Sequence, residues 1–182
     1  GGEIMAHEII MAGFGGQGVM AMGKILVEAA LEEGKNVSWL PSYGPEMRGG
    51  TANCSVIISE DPIGAPIVTE ATAAIVMNKP SLDKFEPDVV PGGMLFINSS
   101  LIDKKATRDD IKVYYVPAND IADELGSGKI ANIVMLGAYL KASGAAKEDS
   151  IMEIITEIFS GKKAKVIPLN KEALIRGAAC IK

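Results

Sequence analysis

"HEIIMAGFGGQGVMAMGKILVEAALEEGKNVSWL", His7–Leu40, is the stretch that sets the fold class. It opens on "HEIIMAGF", an apolar run that reads as a buried strand, and passes through glycines into Val19, Met22, Leu26 and Ala29, which recur at helical spacing. Lys24 and Glu28, on the other face, have the spacing of an intrahelical ion pair. Gly34 ends the helix in the usual C-terminal way, and "NVSWL" is a second strand. Strand, glycine turn, helix and strand in this order are the start of an α/β unit.

The rest of the chain repeats the alternation. "CSVIIS", "ATAAIVMN", "GMLFINS" and "KVYYVPA" supply four further strands, and "SLDKF", "DIADEL", "NIVMLGAYLKA" and "SIMEIITEIF" the helices. Ser150 and Glu153 predict a capping box at the start of the last of these. The expected fold is Rossmann-like α/β, with a doubly wound, mostly parallel sheet flanked by helices. Residues 1–182 read as a single domain, without internal repeat or low-complexity tract. From Ile133 to Leu140 the helix is apolar on nearly every face, with Gly137 open to close backbone approach. In a small domain whose helices coat a sheet, that pattern favours a subunit interface over a purely internal position.

Composition narrows the function classes. The 182 residues are 48% hydrophobic and 23% charged, with formal net charge -5, which argues against a nucleic-acid binder. Apolar runs are too short for a bilayer span and the N-terminus does not read as a signal peptide, so a cytoplasmic location is expected. Cys54 and Cys180, far apart and outside any C-x-x-C, read as reduced, inert thiols, and no metal ligand set is expected.

"GFGGQG", Gly13, Phe14, Gly15, Gly16, Gln17 and Gly18, fits G-x-G-x-x-G between a strand and a helix. Its glycines permit tight turning, and the helix start attracts a phosphate or carboxylate. The acid that would hold a ribose at the end of the second strand is missing from "NVSWLPSYG", which argues against an NAD enzyme. The alternative is that the glycines only pack a strand against a helix. His7, at the start of the first strand, stands at the wrong end of a parallel sheet for a ligand and reads as structural or exposed. Without another histidine there is no Ser-His-Asp arrangement, and no catalytic residue is assigned.

The second motif is "PSYGPEMRGGTANCSV", Pro41–Val56, too polar and glycine-rich to read as helix or strand. As a loop after the second strand, it emerges on the same carboxyl edge as the glycine turn. Ser42, Tyr43, Gly44, Glu46, Arg48, Gly49, Gly50 and Asn53 are its candidate ligand or interface residues, with Gly13, Gly15, Gly16, Gln17 and Gly18 from the turn. Glu46 and Arg48 also have a local structural reading, in which they satisfy each other and nearby backbone.

"GFGGQGV", "WLPSYGPEMRGGTANCSVIIS" and "DPIGAPIV", at their spacing, closely resemble the gamma subunit of 2-oxoacid:ferredoxin oxidoreductases, and the resemblance runs through "NIVMLGAYL". The wording is more similar to the 2-oxoglutarate or branched-chain ketoacid branch than to the pyruvate branch. Indolepyruvate oxidoreductase small subunits share the domain and stay as a near alternative; a stand-alone nucleotide or coenzyme A binding module is another. The resemblance implies oxidative decarboxylation of a 2-oxoacid to an acyl-CoA and carbon dioxide, with ferredoxin as acceptor. It implies alpha and beta partners that bind thiamine diphosphate between them, iron-sulfur clusters, coenzyme A, and a ferredoxin-like delta subunit. No cofactor is expected on this chain alone. Arg48 is the leading contact residue, because its planar donor fork suits a carboxylate or phosphate.

Overall fold

The computed structural model describes residues 6–42 and 51–182. Its centre is a six-stranded sheet in the order β2-β3-β1-β4-β5-β6. The strands are β1 (Ala6–Phe14), β2 (Asn36–Ser42), β3 (Thr51–Ser59), β4 (Ala71–Val76), β5 (Val89–Asn98) and β6 (Lys112–Val116). The pairs β1–β4, β4–β5 and β5–β6 are parallel, whereas β3 runs antiparallel to both β1 and β2. The mostly parallel α/β reading therefore holds, with β3 as the reversed strand.

The helices are α1 (Val19–Glu32), α2 (Lys79–Phe85), α3 (Ala118–Glu124), α4 (Ala131–Ser143), α5 (Glu148–Ile158) and α6 (Ile167–Ala179). Alternation along β1 separates two cores: Ile9 and Met11 pack with Met22, Leu26 and the apolar residues of α4, while Ile10 packs with Ile57, Val68 and Ala71 on the opposite face. The second face is covered by α2 and by extended segments, including one between β5 and β6. That segment is fastened by buried Glu86, whose carboxylate accepts from Thr107 N (2.7 Å), Thr107 Oγ1 (3.0 Å) and Arg108 N (3.3 Å). Arg108 in turn donates to the carbonyls of Glu86 and Val89 and pairs with Asp110. These polar clamps hold a crossover that has no helix of its own.

Helix α4 departs from its expected position at an interface. Ala131 through Leu140 are all buried within this chain, by the sheet, α1 and above all α6. The reason is α6, which the sequence reading missed. A Cβ on Gly137 would lie 2.2 Å from the Leu174 carbonyl oxygen, and one on Gly177 would lie 1.9 Å from that of Val134. The two glycines face opposite helices and let the backbones touch. The signal for α6 was Pro168 in a first turn followed by Leu169, Ala173, Leu174 and Gly177 at helical spacing.

Two local expectations also change. Ser150 lies inside α5, which starts at Glu148 after Lys147 and has no side-chain cap, so the capping box does not form. Glu33 instead reaches this turn, accepting from Lys147 N at 2.8 Å, while Lys35 donates to Ala145 O at 2.8 Å. Lys24 and Glu28 form no ion pair, as both lie along a cavity beside α1.

Candidate functional site at the carboxyl edge of the sheet

The parallel neighbours β1 and β4 define a crevice, because the chain leaves β1 through α1 toward β2 and leaves β4 through α2 toward β5 on the other side. Opposed exits open the sheet edge at its switch point, where ligands of such folds bind. The glycine turn stands here. Gly15–Gln17 form a single 3-10 turn, and Gly18 takes a left-handed conformation with φ 72° before α1 begins.

Two carboxamides brace the turn. Gln17 accepts from Phe14 N at 2.6 Å through Oε1 and donates to the Met77 carbonyl at 3.2 Å through Nε2, tying the turn to the end of β4. Asn132, at the start of α4, donates to the Gly18 carbonyl at 3.1 Å. The glycines follow from these contacts: a Cβ on Gly13 would come within 2.7 Å of Gln17 Oε1 and 2.8 Å of Met77 Cβ, and one on Gly18 within 2.5 Å of Asn132 Nδ2. Gly16 is different, since a Cβ there would meet none of the described residues within 4 Å. Gly13, Gln17 and Gly18 thus build the turn, and Gly16 lies on its approach side. The first turn of α1 carries no acidic residue of its own, so none of its own side chains offsets the positive end of the helix.

Sequence reasoning missed the remaining carboxamides of this edge. Buried Asn98, at the end of β5, donates to Asn119 Oδ1 at 2.7 Å and accepts from the backbone of Ser100 and Ala118. Asn78, after β4, caps α2 by accepting from Ser81 N at 3.0 Å. The available signal was an Asn immediately following or closing each apolar strand. Single polar residues there meet converging backbone ends that need partners.

The second motif changes its secondary structure but not its place. Pro41 and Ser42 complete β2, and Thr51 through Val56 belong to β3. The reason is that β3 is an inner strand: β1 and β2 satisfy its backbone on both sides, so polar Thr51 and Asn53 are carried within the ladder. Register places Phe14 opposite Thr51, Ala12 opposite Asn53, and Ser42 opposite Asn53. Ser42 and Thr51, which flank residues 43–50 in sequence, therefore lie on the glycine turn's side of the sheet. Tyr43, Gly44, Glu46, Arg48, Gly49 and Gly50 lie outside the described residues.

The remaining titratable groups stand apart from this edge. His7, at the amino end of β1, lies 3.5 Å from Tyr139 Oη through Nδ1; burial and then the charge of Lys35 hold its pKa below the ordinary value. Cys54 is fully buried on β3, and desolvation pushes its thiol up to about 12 against a weaker opposing effect of the Trp39 indole. Cys180 follows α6 and is half-buried. Among the described residues no three His, Cys, Asp or Glu side chains gather as a metal site, and no helix is long and apolar enough to cross a membrane.

Comparison with known proteins agrees with this architecture. Residues 8–180 match the family model for pyruvate ferredoxin/flavodoxin oxidoreductase. The chain is 41% identical over 177 residues to the ketoisovalerate oxidoreductase subunit VorA of Methanothermobacter marburgensis; the match takes in 97% of this chain but 37% of that relative. It thus spans little more than a third of that relative's length. It is 35% identical over 156 residues to the 2-oxoglutarate synthase subunit KorC of Methanocaldococcus jannaschii, covering 84% of this chain and 83% of the relative. The solved keto/oxoacid ferredoxin oxidoreductase gamma subunit of Geobacter sulfurreducens superimposes with a TM-score of 0.82 at 29% identity, over 96% of this chain and 97% of that one.

Proposed function

The chain belongs to the pyruvate ferredoxin/flavodoxin oxidoreductase family, and we propose that residues 1–182 act as a gamma-type domain of a multi-subunit 2-oxoacid:ferredoxin oxidoreductase. The reaction is oxidative decarboxylation of a 2-oxoacid to an acyl-CoA. The carboxylate leaves as carbon dioxide, the coenzyme A sulfur bonds to the acyl carbon, and the electron pair passes to ferredoxin. A branched-chain ketoacid or 2-oxoglutarate is the favoured substrate, supported by the names of relatives that align over most of this chain.

The observation that carries this reading is the meeting of the two motifs at one sheet edge. Phe14 and Thr51 are strand partners and Ser42 is paired with Asn53, so the described ends of the second motif lie beside the glycine turn at the switch-point crevice. In this reading Tyr43, Glu46, Arg48 and Gly49, from the segment between those ends, contact the alpha subunit or shape the approach of coenzyme A. Gly16, with none of the described residues within 4 Å of a Cβ placed there, admits a neighbour's backbone or an anion to the start of α1.

Thiamine diphosphate, when bound between the alpha and beta subunits, supplies the carbanion chemistry. The described donors of this chain do not fit an iron-sulfur cluster, because Cys54 is sealed within β3 and Cys180 stands beyond α6. Clusters accordingly belong to partners, including a ferredoxin-like delta subunit, in a cytoplasmic complex. The test is anaerobic purification of the tagged chain from its host, followed by viologen reduction with several 2-oxoacids, with and without coenzyme A. Copurifying alpha and beta chains with coenzyme A-dependent activity support the proposal, and the preferred acid names the substrate. A chain that purifies alone and without activity overturns it.

A further inference from the structure

A second feature runs along α1 from the glycine turn, where Gly18 and Asn132 form part of its wall. There α1, the start of α4, the end of α5 and the start of α6 enclose a cavity of about 660 Å³. The volume falls in the range of small-molecule sites, roughly 300–1,000 Å³. Its walls are apolar: Ile25 comes from α1, Ile133 from α4, Phe159 from the end of α5, and Leu169 from α6. Ile158, also lining it, is 52% exposed, so the apolar wall continues to the surface.

Charge at the cavity runs against the charge of the molecule. The whole chain carries -5, yet the cavity is bordered by Lys24, Lys129 and Lys163 with Glu28 as its acid. None of the three lysines makes an ion pair among the described residues, including the Lys24–Glu28 pair that helical spacing predicts. Unpaired ammonium groups beside an apolar hollow favour a ligand that satisfies both. The polar groups Asn132 and Asn170 are already committed to the carbonyls of Gly18 and Val166.

We infer that this cavity binds an amphiphilic organic anion, a compact apolar body with an acidic group at one end. The body lies on Ile25, Ile133, Phe159 and Leu169, and the acidic group reaches the lysines at the border. The inference does not depend on the function proposed for the sheet edge, since the residues invoked to hold the ligand, Ile25, Ile133, Phe159, Leu169 and the three lysines, are none of those assigned there.

The test titrates the full-length chain with 1-anilinonaphthalene-8-sulfonate, whose fluorescence rises in apolar surroundings, and with N-phenyl-1-naphthylamine, which lacks the sulfonate. The anion is expected to saturate at one equivalent and to bind at least about tenfold more tightly than the neutral compound, less so at high salt. Neutralising the lysines together (Lys24→Gln, Lys129→Gln, Lys163→Gln) should weaken the anion about tenfold and leave the neutral compound unchanged. Ala21, exposed on the cavity wall, offers a filling variant: Ala21→Trp should abolish binding of both while circular dichroism and Tm stay near those of the parent. Equal binding of the two compounds, binding at several equivalents, or an anion affinity unmoved by either set of changes overturns the inference.

Discussion

Alanine at Gly177 offers a direct measure of how α4 is held. A methyl group there would sit 1.9 Å from the Val134 carbonyl oxygen, 2.8 Å from its carbon and 3.1 Å from Ala138 N. All three are backbone atoms of α4, so no rotamer change relieves the overlap; the helices must part by about 1.5 Å to reach ordinary contact. Overpacking of a well-filled core costs about 1–3 kcal/mol, and backbone neighbours place this case at the upper end. Glycine to alanine within a helix returns about 1 kcal/mol of propensity. The net loss is about 2 kcal/mol, or a fall in Tm of roughly 4–8 °C for a chain of this size. Gly137→Ala should behave alike, because its methyl group would meet the Leu174 carbonyl at 2.2 Å. Gly16→Ala is the control, with none of the described residues within 4 Å, and should move Tm little. Thermal and urea unfolding of the three variants decide the matter. Stabilisation by Gly177→Ala and Gly137→Ala, as at an exposed helical glycine, would refute the close packing of α4 on α6.

Two other outcomes follow from the polar clamps. Glu86→Gln replaces one acceptor oxygen by a donor facing the Thr107 and Arg108 donors, and should lower unfolding free energy by about 1–3 kcal/mol in urea titration. Since His7 holds its proton less readily in the fold than its ordinary 6.5, the unfolded chain protonates first on acidification. Stability should therefore be full above that value, fall as pH drops through it, and level off below the folded pKa. His7→Asn should remove that part of the slope in unfolding curves taken between about pH 5 and 8; an unchanged slope would clear His7 of the effect.

The sequence by itself determined the local units. The strand, glycine turn and helix around Gly13–Gly18, and the six strands, are legible because period and turn chemistry act over a few residues. So was the inertness of Cys54, a small thiol amid alternating apolar residues of β3. Even there, Asn53 and Ser42 looked like loop, because polar side chains in a strand are tolerated only when neighbours on both sides complete the ladder, and those neighbours are distant in sequence. The tertiary structure alone decided which surfaces meet. An all-apolar helix such as α4 states that it must be covered without naming the cover, and the same residues serve a subunit interface or an interior equally well. What settled it was a glycine some 40 residues further on, Gly177, whose lack of a Cβ matters only once α6 lies across Gly137. The split between Lys24 and Glu28 has the same origin: spacing brings two charges to one helix face, but the surroundings from α4, α5 and α6 determine whether they pair or border a cavity.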